Sequence, residues 1–338
     1  MVYGAIDLHL RYSQVRIVDE AGTVLCDKRV VTSVERLTQA FADHGPMRIL
    51  LETGTEREWV AQVLESAGHS VIVADPNYAP MYGERTRRIK TDRRDVAALA
   101  EANRHECYRT THRVSAVQRE TRQILRSRRV LVQQRASIVT LMRSLLRQSG
   151  YRLPKGMCET APARLAQLTI PPVLAETLAP LSRQVVALTT EIRAIDARLR
   201  ARIAADPVVA RLQTVPGVGV VVATTFRAYI DTVDRFKHAG AASAALGLVP
   251  RDDSSAERRH RGHITKAGPR ELRALCIQAA WACWRSPGGL PFRLWVDRLA
   301  ARRGRRIAVV ALARRLSRLM YAVWRDEVSF DATTFATA

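Results

Sequence analysis

Lysine is almost absent from this 338-residue chain, although 54 of its side chains are basic; it occurs only at Lys28, Lys90, Lys155, Lys237 and Lys266. Nearly all the positive charge is therefore arginine, set against 32 acids for a net charge of +22. Arginine's planar fork grips phosphate oxygens in pairs, so a polyanionic partner is favoured over mere solubility. Cysteine is also sparse. Cys26, Cys107, Cys158, Cys276 and Cys283 form no CxxC pair and no zinc-spaced cluster with histidine, which excludes a disulfide scaffold and predicts reduced thiols in a cytoplasmic protein. No apolar run approaches the ~18 residues that a membrane span needs, and MVYGAIDLHL lacks the layout of a signal peptide. The arginines are spread over every segment instead of gathering on one amphipathic stretch, which argues against a membrane-surface helix and for nucleic acid. Hydrophobic residues still make up 47%, so this is a folded protein of two or three compact units and not a disordered basic tail.

What is present falls into three parts. The first hundred residues alternate short apolar runs with helical stretches. Strands are expected at Tyr3–Leu8, Gln14–Val18 and Val24–Val31, then a helix capped by Ser33, a strand Met47–Leu51, a helix around Trp59–Leu64, a strand Ser70–Ala74 and a helix from about Asp92 to Asn103. The order βββαβαβα is that of a ribonuclease-H-like α/β domain. From Val114 to Ser149 there is neither proline nor glycine, and Val117, Ile124, Leu131, Ile138 and Leu145 recur every seven residues, predicting a long helix with a narrow apolar seam. Leu174, Leu178, Leu181, Val185, Leu188, Ile192, Ile195 and Leu199 continue the heptad pattern in a second helix, which Pro180 should kink or restart. Two such coiled-coil helices should pair antiparallel or join a partner chain. The last third reads as all-α. Its Pro216-Gly217-Val218-Gly219 turn resembles a helix-hairpin-helix whose glycines Gly217 and Gly219 let backbone amides approach phosphate, and nine arginines and no acid lie between Arg298 and Arg325. Expected boundaries are 1–110, 111–205 and 206–338.

Four acids stand out. Asp7 lies in the apolar strand AIDL, where an unpaired carboxylate is costly to desolvate. Glu52 ends the strand RILLE, and Asp92 and Asp95 sit three apart at the start of a helix, on one face. Singly, each has an ordinary role as turn former, helix cap or arginine partner. Jointly, they can converge where strand ends meet a helix face and hold two Mg2+ ions, since clustered carboxylates repel unless cations lie between them. A polar loop follows Pro250, with Ser254 and Ser255 flanked by Arg251, Arg258, Arg259 and His260, and leads into Ile264-Thr265-Lys266-Ala267-Gly268, where Lys266 and backbone amides could meet phosphate. A serine activated by arginines and a metal could attack phosphorus, although loop serines mostly bond water or cap helices. Trp281, Trp284, Trp295 and Trp324 read as core residues.

AIDLH, LLETG and KTDRRD, with Asp7, Glu52, Asp92 and Asp95, resemble the DEDD quartet of the RNA-guided transposases of bacterial insertion sequences, whose N-terminal domain is similar to the RuvC Holliday-junction resolvase. VPGVG, ALGLVP, the Ser254-Ser255 loop and GHITKAG resemble the same family's C-terminal transposase domain. The resemblance implies a site-specific DNA recombinase guided by a structured bridge RNA that pairs with donor and target DNA. It implies Mg2+ on the four acids and a serine that forms a transient phosphoserine link to DNA. Ser255 holds that serine's place, with Ser254 as the alternative; Ala256 stands where the family has glycine, and Thr265 where serine is commoner. It also implies a dimer of dimers whose active sites combine acids of one protomer with the serine of another, acting on bacterial nucleoid DNA in the cytoplasm. Arg85, Arg87, Arg88, Arg93 and Arg94, together with the Arg298–Arg325 block, are expected on nucleic-acid backbones. A Mg2+-dependent junction resolvase, with water as nucleophile, is the enzymatic alternative, and an architectural nucleic-acid binder the non-enzymatic one.

Overall fold

The computed structural model describes residues 1–82, 91–252 and 261–332. Two compact units divide the chain, Met1–Arg113 and Val114–Ala338.

In the first unit, β1 (Tyr3–Asp7), β2 (Tyr12–Val18) and β3 (Val24–Val31) form an antiparallel meander, and β4 (Arg48–Glu52) and β5 (Ser70–Ala74) add in parallel beyond β1. The sheet order β3-β2-β1-β4-β5 is the one expected of a ribonuclease-H-like sheet. β1 and β4 are central and buried on both faces, which explains why Ala5-Ile6 and Ile49-Leu50-Leu51 read as continuous apolar runs. Ile6, Ile49 and Leu51 pack under α1 (Val34–Phe41) and α2 (Arg57–Ser66) with Leu37, Phe41 and Leu64, while Ala5 and Leu50 meet Val96 and Leu99 of α3 (Asp92–Arg104) on the other face. Ser33 caps α1 by accepting from the Arg36 amide at 3.3 Å, and Thr91 caps α3 by accepting from the Arg94 amide at 3.4 Å.

One buried side chain fixes the direction of α3. Asn103, in its last turn, donates from Nδ2 to the carbonyls of Gly4 and Arg48, both at 2.8 Å. Those residues begin β1 and β4, so the far end of the helix, with Asp92 and Asp95, lies toward the carboxyl ends of the same strands. Each such bond contributes about 1 kcal/mol, and an orphaned buried carbonyl would cost more.

The second unit opens with α4 (Ala116–Gln148) and continues through α5 (Ala161–Leu165) to α6 (Pro172–Ile203). α4 and α6 pair antiparallel, because Glu120 meets Arg202, Arg128 meets Asp196, and Arg135 meets Thr189. Two expectations need correction. The most buried row of α4 is Gln118, Thr121, Leu125, Val139, Met142 and Leu146, one residue on from the predicted seam; of that seam Ile124, Ile138 and Leu145 are partly buried against the core, whereas Val117 is 58% exposed. Arg128 and Arg135 complete that row, the first paired with Asp196 and the second reaching Thr189 and Glu159 through one terminal nitrogen; a count of apolar residues cannot see paired arginines. α6 also continues through Pro180 without the restart that was one of the two expected outcomes. That residue is on the exposed side, so the carbonyl deprived of its donor faces water.

Helices α7 (Pro207–Leu212), α8 (Val220–Ile230), α9 (Ala239–Ala245), α10 (Arg270–Arg285), α11 (Leu290–Arg303) and α12 (Arg305–Arg325) form the rest, packed around Leu312, Leu316 and Met320 of α12. Trp324 is buried with them, but Trp295 is 37% exposed, against expectation. The third part is not purely helical either. β6 (Pro250–Asp252) and β7 (Arg261–Ile264) pair antiparallel around the segment read as a loop, too short a pairing to leave a period-two signal.

Candidate functional site

Asp7 is the last residue of β1, and the parallel register pairing Ile6 with Leu51 makes Asp7 and Glu52 the next residue on two adjacent strands. Asp92 opens α3 at the same end of the sheet. Two residues past Asp7, His9 places Nε2 3.4 Å from Asp7 Oδ2 and 3.5 Å from Asp92 Oδ1. One ligand atom from each of Asp7, His9 and Asp92 lies within 4.8 Å of the others, the one such group among the described residues. Asp7 is mostly covered, with its side chain 13% exposed, whereas that of Asp92 is 60% exposed.

Two carboxylates at this spacing repel unless positive charge stands between them, and His9 sits where a proton donor or a cation offsets that repulsion. The donor set suits a small divalent cation: carboxylate oxygens are hard ligands, and the exposed side at Asp92 leaves room for water or a phosphate oxygen. Asp92 also lies in the first turn of α3, where the helix dipole favours negative charge. Glu52 and Asp95 occupy the neighbouring strand end and helix turn but fall outside the three-residue group; Asp95 is buried, at 5% exposure. His9 is the residue that sequence reasoning missed. Its signal was the Asp-x-His spacing off a strand end, which returns the side chain to the same side as Asp7.

The expected nucleic-acid residues are distributed differently. Arg93 donates from Nε to Asp27 Oδ2 of β3 at 3.0 Å and stays largely exposed; Arg94 is exposed. Arg87, Arg88, Ser254, Ser255, Arg258 and Arg259 lie outside the described residues. Lys266 is exposed, but it has φ +56° and its amide donates to the Gly247 carbonyl at 3.2 Å, while the Thr265 amide donates to Val249 at 2.9 Å. These two amides are thus engaged in holding the GLVP and TKAG segments together.

The VPGVG turn also has another reason for its first glycine. A Cβ on Gly217, at φ +80°, would stand 2.3 Å from the Ala279 carbonyl and 2.6 Å from the Cys283 amide, so Gly217 lets the turn rest directly on the α10 backbone. Gly219 precedes α8 with nothing within 4 Å of its Cβ position, leaving that helix end open. On α10 itself, burial pushes the Cys276 thiol up to about 12 and the Cys283 thiol up to about 11, which favours the protonated form of both near neutrality.

Comparison with known proteins bears on both units. Residues 5–150 match the model of the DEDD transposase domain of IS110 elements, described as "Transposase". Residues 209–290 match the model described as "Transposase IS116/IS110/IS902 family". The chain is 26% identical over 339 residues to a "Probable family 20 transposase" of Pseudomonas aeruginosa, covering 96% of this chain and 97% of the relative. It is 26% identical over 333 residues to the "Transposase for insertion sequence element IS1328" of Yersinia enterocolitica, covering 96% and 97%. It is 27% identical over 313 residues to the "Transposase for insertion sequence element IS1111A" of Coxiella burnetii, covering 90% and 85%.

Proposed function

Carrying the transposase domains of the IS110/IS116/IS902 family in both units, the chain is a DNA transposase of an insertion sequence, and from that premise we propose how it cuts and rejoins DNA. The observation that supports the reading is the meeting of Asp7 and Asp92 beside His9 at the carboxyl end of the central strands. Asp7 and Asp92, with Glu52 and Asp95 at the adjoining strand end and helix turn, would hold the divalent cation, Mg2+ in this reading. When bound it neutralises charge on a phosphodiester and eases the departure of an oxygen. His9 orients the two carboxylates by lying between them.

Ser255, or Ser254 in its place, supplies the nucleophile. An Oγ–P bond forms as one deoxyribose oxygen leaves phosphorus; the serine proton is lost and the departing oxygen takes one up. The covalent link conserves the phosphodiester energy, so a second deoxyribose hydroxyl can reverse the step on a different strand. A structured guide RNA selects the donor and target sites by base pairing, with the arginine-rich surface gripping its backbone and that of the DNA. The working assembly is a dimer of dimers on nucleoid DNA.

The test is a denaturing gel of the full-length protein incubated with Mg2+, guide RNA and end-labelled element DNA. Label should migrate with the protein in the wild type and in Ser254→Ala, and should be lost in Ser255→Ala; the reverse pattern would assign Ser254. Cleavage that persists in both variants with no protein-bound label would mean hydrolysis by water and overturn the phosphoserine step.

A further inference from the structure

A groove of about 1030 Å3 opens in the second unit between α12, α11 and the β6–β7 hairpin. One of its walls is a single face of α12. Arg306, Val310, Arg314 and Arg318 follow one another at four-residue spacing, opposite the core face of Leu312, Leu316 and Met320. Arg303 and Arg315 add two further guanidiniums, and no acid is among the described lining residues. Apart from His263, the rest of the described lining is apolar or glycine. Ile307, at 52% exposure, and Trp295, at 37%, stand on the groove with Ile264 of the hairpin across from them. The Arg315 guanidinium lies 5.3 Å from the centre of the Trp295 ring and 5.5 Å from that of Phe292, which fixes the orientation of the indole.

We propose that this groove receives a single-stranded stretch of the DNA substrate, with a base laid on Trp295 and successive phosphates on the α12 arginines. The charge is complementary to a phosphodiester chain, and Arg314 and Arg318 are one helical turn, ~6 Å, apart. The occupant is a single strand because of the apolar floor. A duplex hides its base faces in the stack and would bring only phosphates and sugars to an exposed indole and isoleucine, whereas an unpaired strand offers π faces to be covered. An acidic peptide could satisfy the arginines but has no such face to offer. The hairpin that frames the groove carries, in sequence, the segment with Ser254 and Ser255 between its strands. The inference therefore rests on the transposase reading: the strand to be attacked is held unpaired beside the hairpin.

Binding is measured by fluorescence anisotropy with full-length protein in EDTA, where no cleavage chemistry runs, so failure here is separable from failure of the phosphoserine step. The probes are a short thymidine homopolymer, a duplex of equal length and a uridine homopolymer. Trp295→Ala should bind the thymidine strand about tenfold more weakly, within the range for loss of one base stack, and the duplex within about twofold of wild type. Trp295→Phe should keep most of the single-strand affinity, and its thermal melting, with that of the alanine variant, should match wild type. Equal losses on strand and duplex, no loss on either, or tighter binding of the uridine strand would each overturn the proposal.

Discussion

Asp7→Asn should lower DNA strand cleavage by about a thousandfold while leaving the fold intact. Asparagine keeps the shape of the side chain at the end of β1 but removes the charge, and with it a ligand for the cation. The loss corresponds to ~4 kcal/mol of transition-state stabilisation, in the range of one well-placed electrostatic group. Stability should not fall with it, because Asp7 and Asp92 are held close enough to share His9, and neutralising one of them relieves repulsion. Asp92→Asn should behave in the same way, although its carboxylate is far more exposed. Cleavage of radiolabelled element ends, read beside thermal melting, separates the two quantities. A variant that melts like wild type and still cuts at more than a tenth of its rate would contradict this role for Asp7.

Gly217→Ala should be the most damaging small change in the second unit. The added methyl would meet the Ala279 carbonyl at 2.3 Å and the Cys283 amide at 2.6 Å, both α10 backbone that cannot rotate away. The positive φ adds about 1–2 kcal/mol for any residue with a Cβ, and the overlap a further 1–3 kcal/mol. The sum, about 2–5 kcal/mol, should lower the melting temperature by roughly 4–20 °C for a unit of this size. Gly219→Ala, two residues on, has an ordinary φ and open space, so it should cost no more than about 1 kcal/mol, mainly as a poorer N-cap. Equal melting of the two variants would mean that the turn does not rest on α10 as described.

Much of the first unit was legible because its signals are local and agree with one another. Ser33 and Thr91 announce helix starts, and Ala5-Ile6 and Ile49-Leu50-Leu51 are apolar enough to demand a sheet covered on both faces. The convergence of Asp7 and Asp92 followed from placing strand ends against the start of a helix. What could not be read was the hand that Asn103 plays in setting the direction of α3, or His9 between the acids, since both depend on contacts across the sheet. In the second unit the most buried row lies one residue on from the heptad count because it contains Gln118, Thr121, Arg128 and Arg135, polar side chains of which the last three meet Arg202, Asp196 and Thr189 on the distant α6. The packing of Gly217 on α10 could not be read, because a glycine in a turn looks alike whether it admits a ligand or a neighbouring helix. The arginine face of α12 was visible as a charge run, but the exposed Trp295 beside it was not, since helical position alone does not say which face the bundle leaves uncovered.

The most direct measurement is a calorimetric titration of Mn2+, standing in for Mg2+, into the full-length wild-type protein and into Asp7→Asn and Asp92→Asn. Saturable binding in the wild type that disappears in each single variant is the expected result, because both carboxylates contribute to one site. Undiminished binding in either variant would show that the two acids meet in space without sharing an ion, and would remove the metal centre from this account of strand cleavage.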